Sequence, residues 1–79
     1  MKPSLADLAV GQQAEIVSID SERRLSRRLM EMGLLPGTRV RVVRVAPLGD
    51  PIELRVRNYS LSVRRAEAAK IAVASEGMA

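Results

Sequence analysis

The sequence predicts a mainly-β fold: five short antiparallel strands forming a small barrel, with one α-helix inserted after the first strand. Three observations predict it. Short runs of valine, isoleucine and leucine alternate with arginine and glutamate, as in Ile52–Val56, the period-two signature of half-buried strands. A separate stretch, Leu25, Leu29 and Met32, repeats at helical spacing. Between them stand strong chain breakers, above all Gly33, Pro36-Gly37 and the doubly proline-clamped loop Ala46–Pro51.

In chain order, Ser4–Leu8 is a short helical or turn-like lead-in with Leu5 and Leu8 one turn apart, and Gly11 breaks the chain after it. Gln13–Ile19 is the first strand. Ala14 and Ile16 share one face, whereas Val17 and Ile19 fall on the other parity, which predicts a bend or bulge near Ile16-Val17. Asp20 or Ser21 is the expected N-cap, since either side-chain oxygen can accept from the free amides of a first helical turn. The helix then spans about 21–32, its apolar stripe facing the core and Arg23, Arg24, Arg27, Arg28 and Glu31 on the remaining surface. Arg24 and Arg28 repel across one turn, and Arg27 and Glu31 attract in the weaker order, cation first.

Gly33 is placed to take the left-handed conformation that ends a helix. Pro36-Gly37 fits a type II turn, because proline pre-sets the first central φ and glycine accepts the positive second. Thr38–Val45 is the second strand; Val43 and Val45 reverse the parity of Val40 and Val42, so a second bulge is expected. Ala46 and Asp50 both precede proline and are biased to extended backbone, with Leu48-Gly49 turning between them. Ile52, Leu54 and Val56 point inward on the third strand and Glu53, Arg55 and Arg57 outward. A tight turn at Arg57–Ser60, with Asn58 as the residue of positive φ, leads to Leu61 and Val63 on the fourth. A single helical turn at about 65–69 precedes a last strand, Ile71–Val73. In a chain this small these elements most economically make an SH3-like barrel, whose closure removes exposed strand edges. Its one open edge leaves room for a homo-oligomer.

At 79 residues the chain is expected to be one domain, with its core between about 5 and 73 and a frayed tail over 74–79. Cysteine and histidine are both absent, which removes disulfides, thiolate metal sites and the usual general base. The nine acidic residues are scattered, and the five glycines make no phosphate-cradling loop. No catalysis, no cofactor and no metal site are therefore expected. Asp7 interrupts the N-terminus before any apolar run suited to a signal peptide, and no stretch approaches the ~20 apolar residues that span a bilayer. A soluble, cytoplasmic protein is the expectation.

The net charge is +4, and the segment Ser21–Val45 alone carries +5 through seven arginines and two glutamates. Such a local excess can steer an acidic partner, or it can be a solvated face that keeps the protein soluble. Tyr59 is the one aromatic residue, so neither the aromatic groove of a polyproline binder nor a stacking platform for single-stranded nucleic acid is available. Protein–protein contact remains. The candidate partner-binding residues are Arg23, Arg24, Arg27, Arg28 and Glu31 on the helix and Pro47, Leu48, Gly49 and Asp50 in the loop. Leu48, at the tip between two prolines, either anchors a partner or folds back onto the barrel.

The order of these motifs resembles a known family. Gly11 after its leucine-bearing lead-in, the helix ending Met32-Gly33-Leu34-Leu35-Pro36-Gly37, the loop Ala46-Pro47-Leu48-Gly49-Asp50-Pro51, and the closing Leu61–Ala68 and Ile71–Val73 are similar to the ferrous iron transport protein A family (FeoA). The likeness runs from about Leu5 to Val73. It implies a cytoplasmic SH3-like protein that modulates, by contact, a membrane ferrous iron transporter carrying a GTPase domain, and that meets the membrane only through that partner. It also implies kinship of fold with the C-terminal domain of metal-dependent repressors. A detached repressor-type domain would make the chain a fragment, against which Met1 and the full set of barrel elements speak. The rival reading is an arginine-dependent nucleic-acid binder, for which the sequence offers phosphate contacts and no specificity.

Overall fold

Period-two alternation is realised in five strands: β1 (Gln13–Ile19), β2 (Arg39–Val45), β3 (Ile52–Val56), β4 (Tyr59–Val63) and β5 (Ile71–Glu76). A 3-10 turn over Leu5–Asp7 precedes them, and two helices, α1 (Arg23–Glu31) and α2 (Arg65–Ala68), are inserted after β1 and β4. The structure is a computed structural model that describes residues 3–76. All strand pairs are antiparallel, and the order across the sheet is β4-β3-β2-β1-β5.

Both expected bulges are present, one where the β1–β5 register shifts between Ile16 and Ser18 and one where the β2–β3 register shifts between Val42 and Arg44. Each lies at the parity break in the sequence. An extra residue lets Ile16 and Val42 stay buried while Val17 and Val43 turn outward. The core between the sheet layers gathers Ala14, Ile16, Val40, Val42, Ile52, Leu54, Val56, Val63, Ile71 and Val73, with Leu5, Leu29, Leu34 and Ala68 brought in from the turn, helices and loop. Each fully buried leucine contributes about 1.5–3 kcal/mol relative to exposure. Leu5 is therefore a stabilising wedge delivered by a three-residue turn.

Four local expectations are corrected. α1 begins at Arg23, with Glu22 at the N-cap and no side-chain cap; Asp20 and Ser21 do not fill that role. The Asp20 amide donates to the Lys70 carbonyl at 2.7 Å, so this residue still belongs to the strand pairing, and the Ser21 carbonyl instead accepts from the Ser26 hydroxyl. At the β3–β4 hairpin the left-handed residue is Arg57 (φ 55), not Asn58. Val56 pairs with Tyr59, which makes a two-residue turn, and both common types of such turn need positive φ at the first central position. β5 runs three residues past Val73, because Gln13–Glu15 of β1 pair with Ala74–Glu76; the rest of the expected tail, 77–79, lies outside the described residues. Finally, no ladder joins β4 to β5 among the described residues. The β5 edge is covered by the N-terminal segment, through the Val73 amide to the Pro3 carbonyl and a bridge between Ser4 and Ala72. At the other edge, α1 is tied to β4 by Tyr59 and to α2 by Arg28.

The end of α1 follows the expected rule. Gly33 has φ 100, its amide donates to Met30 and the Leu34 amide donates to Leu29, the paired bonds of a Schellman cap. Leu29 and Leu34 are both buried, and Leu25 and Met32 pack half-buried against the same core. The Leu35–Thr38 turn closes through the Thr38 amide on the Leu35 carbonyl, with Gly37 at φ 91.

Candidate functional site

α1 carries its arginines outward because its apolar stripe is committed to the core. Arg23, Arg24, Arg27, Arg28 and Glu31 line a shallow recess of about 450 Å³ on its outer face. The ion pair formed is Arg28 with Glu67 of α2, not Arg27 with Glu31. Arg28 is thereby partly used by the fold, which leaves Arg23, Arg24 and Arg27 as the outward cations of this face, with Glu31 exposed among them.

The loop behind β2 is built as a closed unit. The Ala46 amide donates to the Pro51 carbonyl and the Gly49 amide to the Ala46 carbonyl, and the Asp50–Pro51 peptide is cis. Leu48 sits at the tip of this unit, 97% exposed. The choice left open by the sequence is thus decided: Leu48 points into solvent and does not fold back. Gly49 and Asp50 hold the loop in place. The Asp50 carboxylate accepts from the Arg65 amide at 3.0 Å, satisfying a free N–H at the start of α2, and the Arg65 guanidinium donates to the Gly49 carbonyl at 2.8 Å and to the Ala6 carbonyl at 3.1 Å.

α2, only four residues long, therefore links both candidate segments. Glu67 takes Arg28 of α1 and the Arg64 amide, while Arg65 takes Gly49 and Ala6. The helix face and the loop, far apart in sequence, are each tied to this short helix. Arg65 is not singled out by the sequence, where its only signal is an arginine opening the closing helical turn.

A second cluster emerges from strand register. β2 and β3 place Arg41 directly opposite Arg55, and the same row continues to Ser60 of β4 on one side and to Gln13 of β1 and then Glu76 of β5 on the other, so the immediate neighbours of the pair are neutral. Arg39 and Arg57 lie beside this pair, Glu15 faces Arg39 across β1–β2, and together they line an open cleft of about 790 Å³. Like charges placed directly opposite on a sheet are destabilising by a few tenths to about 1 kcal/mol. The outward parity of these arginines was legible in sequence, but their convergence was not, since it depends on how β2 pairs with β3 across the proline loop.

Among the described residues no helix is long and apolar enough to cross a membrane, and no three carboxylates gather where they could hold a metal ion. Every buried side-chain nitrogen or oxygen among them has a hydrogen-bond partner.

Residues 4–75 match the family model of the FeoA domain. The chain is 42% identical over 69 residues to an Fe(2+) transport protein A/Fe(2+) transporter FeoB fusion protein of Porphyromonas gingivalis, an alignment covering 87% of this chain and 8% of the fusion protein. Among solved structures, the FeoA protein of Chlorobium tepidum superposes with a TM-score of 0.87 at 42% identity, over 94% of this chain and 70% of that one. A zinc-complexed FeoA of Stenotrophomonas maltophilia, a prokaryotic SH3 domain protein, superposes with a TM-score of 0.79 at 29% identity, over 91% and 89% of the two chains.

Proposed function

Since the chain belongs to the FeoA domain family, which is linked to ferrous iron transport, we propose that it is a small cytoplasmic accessory and regulatory module of ferrous iron uptake, working by contact with a membrane transporter that carries a GTPase domain. The observation that carries this reading is the fusion relative, in which a similar domain and the FeoB transporter share one polypeptide. Covalent joining places two modules at high effective concentration, which is useful when they act on each other.

The pair of segments tied to α2 suits that role. It offers a preorganised apolar tip, Leu48, and three outward arginines of α1, both linked through α2, and arginine forks pair well with carboxylates on a facing protein. Among the described residues no three carboxylates gather into a metal-holding group, which supports action on the transporter over action on the cargo.

The test is capture of the transporter's cytoplasmic GTPase domain by the purified chain, with iron uptake measured in cells lacking the native copy. Combining Arg24→Glu and Arg27→Glu with Leu48→Ala should abolish capture and lower uptake while leaving the unfolding midpoint unchanged. If capture and uptake both persist in this triple variant, the surface is wrongly assigned; if the parent chain captures nothing, the contact mechanism itself fails.

A further inference from the structure

The geometry points to a second docking surface, on the outward face of β2 and β3, that receives an extended acidic segment of a protein partner. It uses residues separate from the helix face and the Leu48 loop, and so stands independently of the reading above.

The argument begins with Arg41 and Arg55. They are directly opposite in the β2–β3 register, and the strands on either side place the neutral Gln13 and Ser60 next to them, with Glu76 of β5 one strand beyond Gln13. The sheet thus keeps two cations side by side with no carboxylate directly opposite either of them, an arrangement that a bound anion relieves. Arg57 extends the cleft toward a smaller apolar notch formed by Leu35, Val56 and Tyr59, and Thr38 and Arg57 line both. Cleft and notch are therefore one continuous surface.

Its spacing selects the ligand. Residues two apart on a strand, such as Arg39 and Arg41 of β2, repeat at about 6.7 Å. An extended peptide presents its own alternate side chains at the same interval, so carboxylates at every second position can each meet a guanidinium fork. An apolar residue at one end then enters the notch against Leu35 and Tyr59, which are 46% and 39% exposed. Two other polyanions fit less well. A planar bilayer meets raised surfaces before recessed ones, and these arginines line a cleft. Single-stranded nucleic acid gains its affinity from stacking, and no aromatic residue lines the arginine cleft.

The experiment is a titration of the full chain, followed by backbone amide NMR shifts and fluorescence anisotropy, with a labelled synthetic peptide of alternating glutamate and threonine ending in one leucine. Saturable binding at ~50 mM salt, weakening toward ~200 mM, is expected. The shifts should fall on residues 39–43, 53–57 and 35–38 and spare α1. The pair Arg41→Gln with Arg55→Gln should weaken binding at least tenfold, about 1.4 kcal/mol or more. It should retain the parent's unfolding midpoint or exceed it, which shows that the loss is not misfolding. A peptide with glutamine in place of glutamate should not bind. The proposal is overturned by absence of peptide binding at low salt, by shifts confined to α1, or by retention of affinity in the double variant. It is equally overturned if phosphatidylserine vesicles or an oligothymidylate bind this face more tightly than the peptide, which would assign the cleft to a membrane or to nucleic acid.

Discussion

The hydroxyl of Tyr59 occupies the space where a side chain on Gly33 would begin. From there it donates to the Met32 carbonyl at 2.6 Å, so the first residue of β4 secures the last turn of α1. The missing Cβ at Gly33 thus serves two ends, a left-handed helix stop and a port for the tyrosine.

That double role predicts strong coupling. Gly33→Ala forces a Cβ into positive φ, at a cost of about 1–2 kcal/mol, and also displaces the Tyr59 hydroxyl. Tyr59→Phe alone should cost about 0.5–1.5 kcal/mol for the lost hydrogen bond. In the Tyr59→Phe background the alanine meets no hydroxyl, so its penalty should fall toward the backbone term. Urea unfolding of the four members of this cycle should give a coupling of at least about 0.5 kcal/mol. Strict additivity would mean that Tyr59 moves aside freely.

Arg65 is expected to act on the loop more than on global stability. Its guanidinium is exposed, so Arg65→Lys should lower stability by no more than about 1 kcal/mol while losing the fork that reaches the Gly49 and Ala6 carbonyls. The measurable consequence is local. Amide exchange at Ala46 and Gly49, whose N–H groups close the loop, should speed up while that of Leu54 in β3 does not change. Equal acceleration at all three would show a global effect instead.

The tie between the helices should prove weak in energy. Arg28 and Glu67 form an ion pair with side chains 60% and 20% exposed, and solvent screens such pairs to about 1 kcal/mol or less. Arg28→Ala should therefore shift the urea midpoint little. Glu67→Ala should cost more, because Glu67 also accepts from the Arg64 amide at the start of α2. Raising salt should shrink the Arg28 effect and leave the Glu67 difference largely intact.

What the sequence made legible was whatever depends on near neighbours. The two bulges follow from parity breaks at Ile16-Val17 and Val42-Val43, and the helix stop follows from one glycine set between the apolar stripe of α1 and the leucine pair Leu34-Leu35. The positive φ at Arg57 was missed because it is imposed by the pairing of Val56 with Tyr59, not by the preference of either turn residue. Likewise Asp50 stands among the contact candidates in the sequence, and its structural role emerges only when the fold brings Arg65 to it from 15 positions away. The direction of Leu48 was undecidable for the same reason. A loop tip between prolines is rigid in itself, but which way it leans is set by Arg65 and the 3-10 turn beneath it.

Leu48 and Leu54 make the sharpest contrast between surface and core. Leu54→Ala empties a site with no solvent exposure and should cost about 2–5 kcal/mol by cavity formation. Leu48→Ala removes a side chain that is 97% exposed and should change stability by less than about 0.5 kcal/mol. Thermal unfolding checks both. A measurable loss of stability on truncating Leu48 would mean that the tip packs on the domain in solution.

Arg55 offers the opposite sign. Facing Arg41 across β2–β3, it experiences electrostatic repulsion, and no carboxylate stands directly opposite either arginine to offset it. Arg55→Thr keeps a good strand former and removes one of the two charges, so it should raise stability by a few tenths to about 1 kcal/mol at low salt. Added salt screens the repulsion in the parent and should reduce that gain. An arginine whose removal stabilises the domain is retained at the expense of stability, as happens at surfaces that serve a partner. Urea titrations at two ionic strengths would settle the sign. A loss of stability on Arg55→Thr would show instead that the arginine stem packs usefully on the sheet, and that its position opposite Arg41 carries no strain.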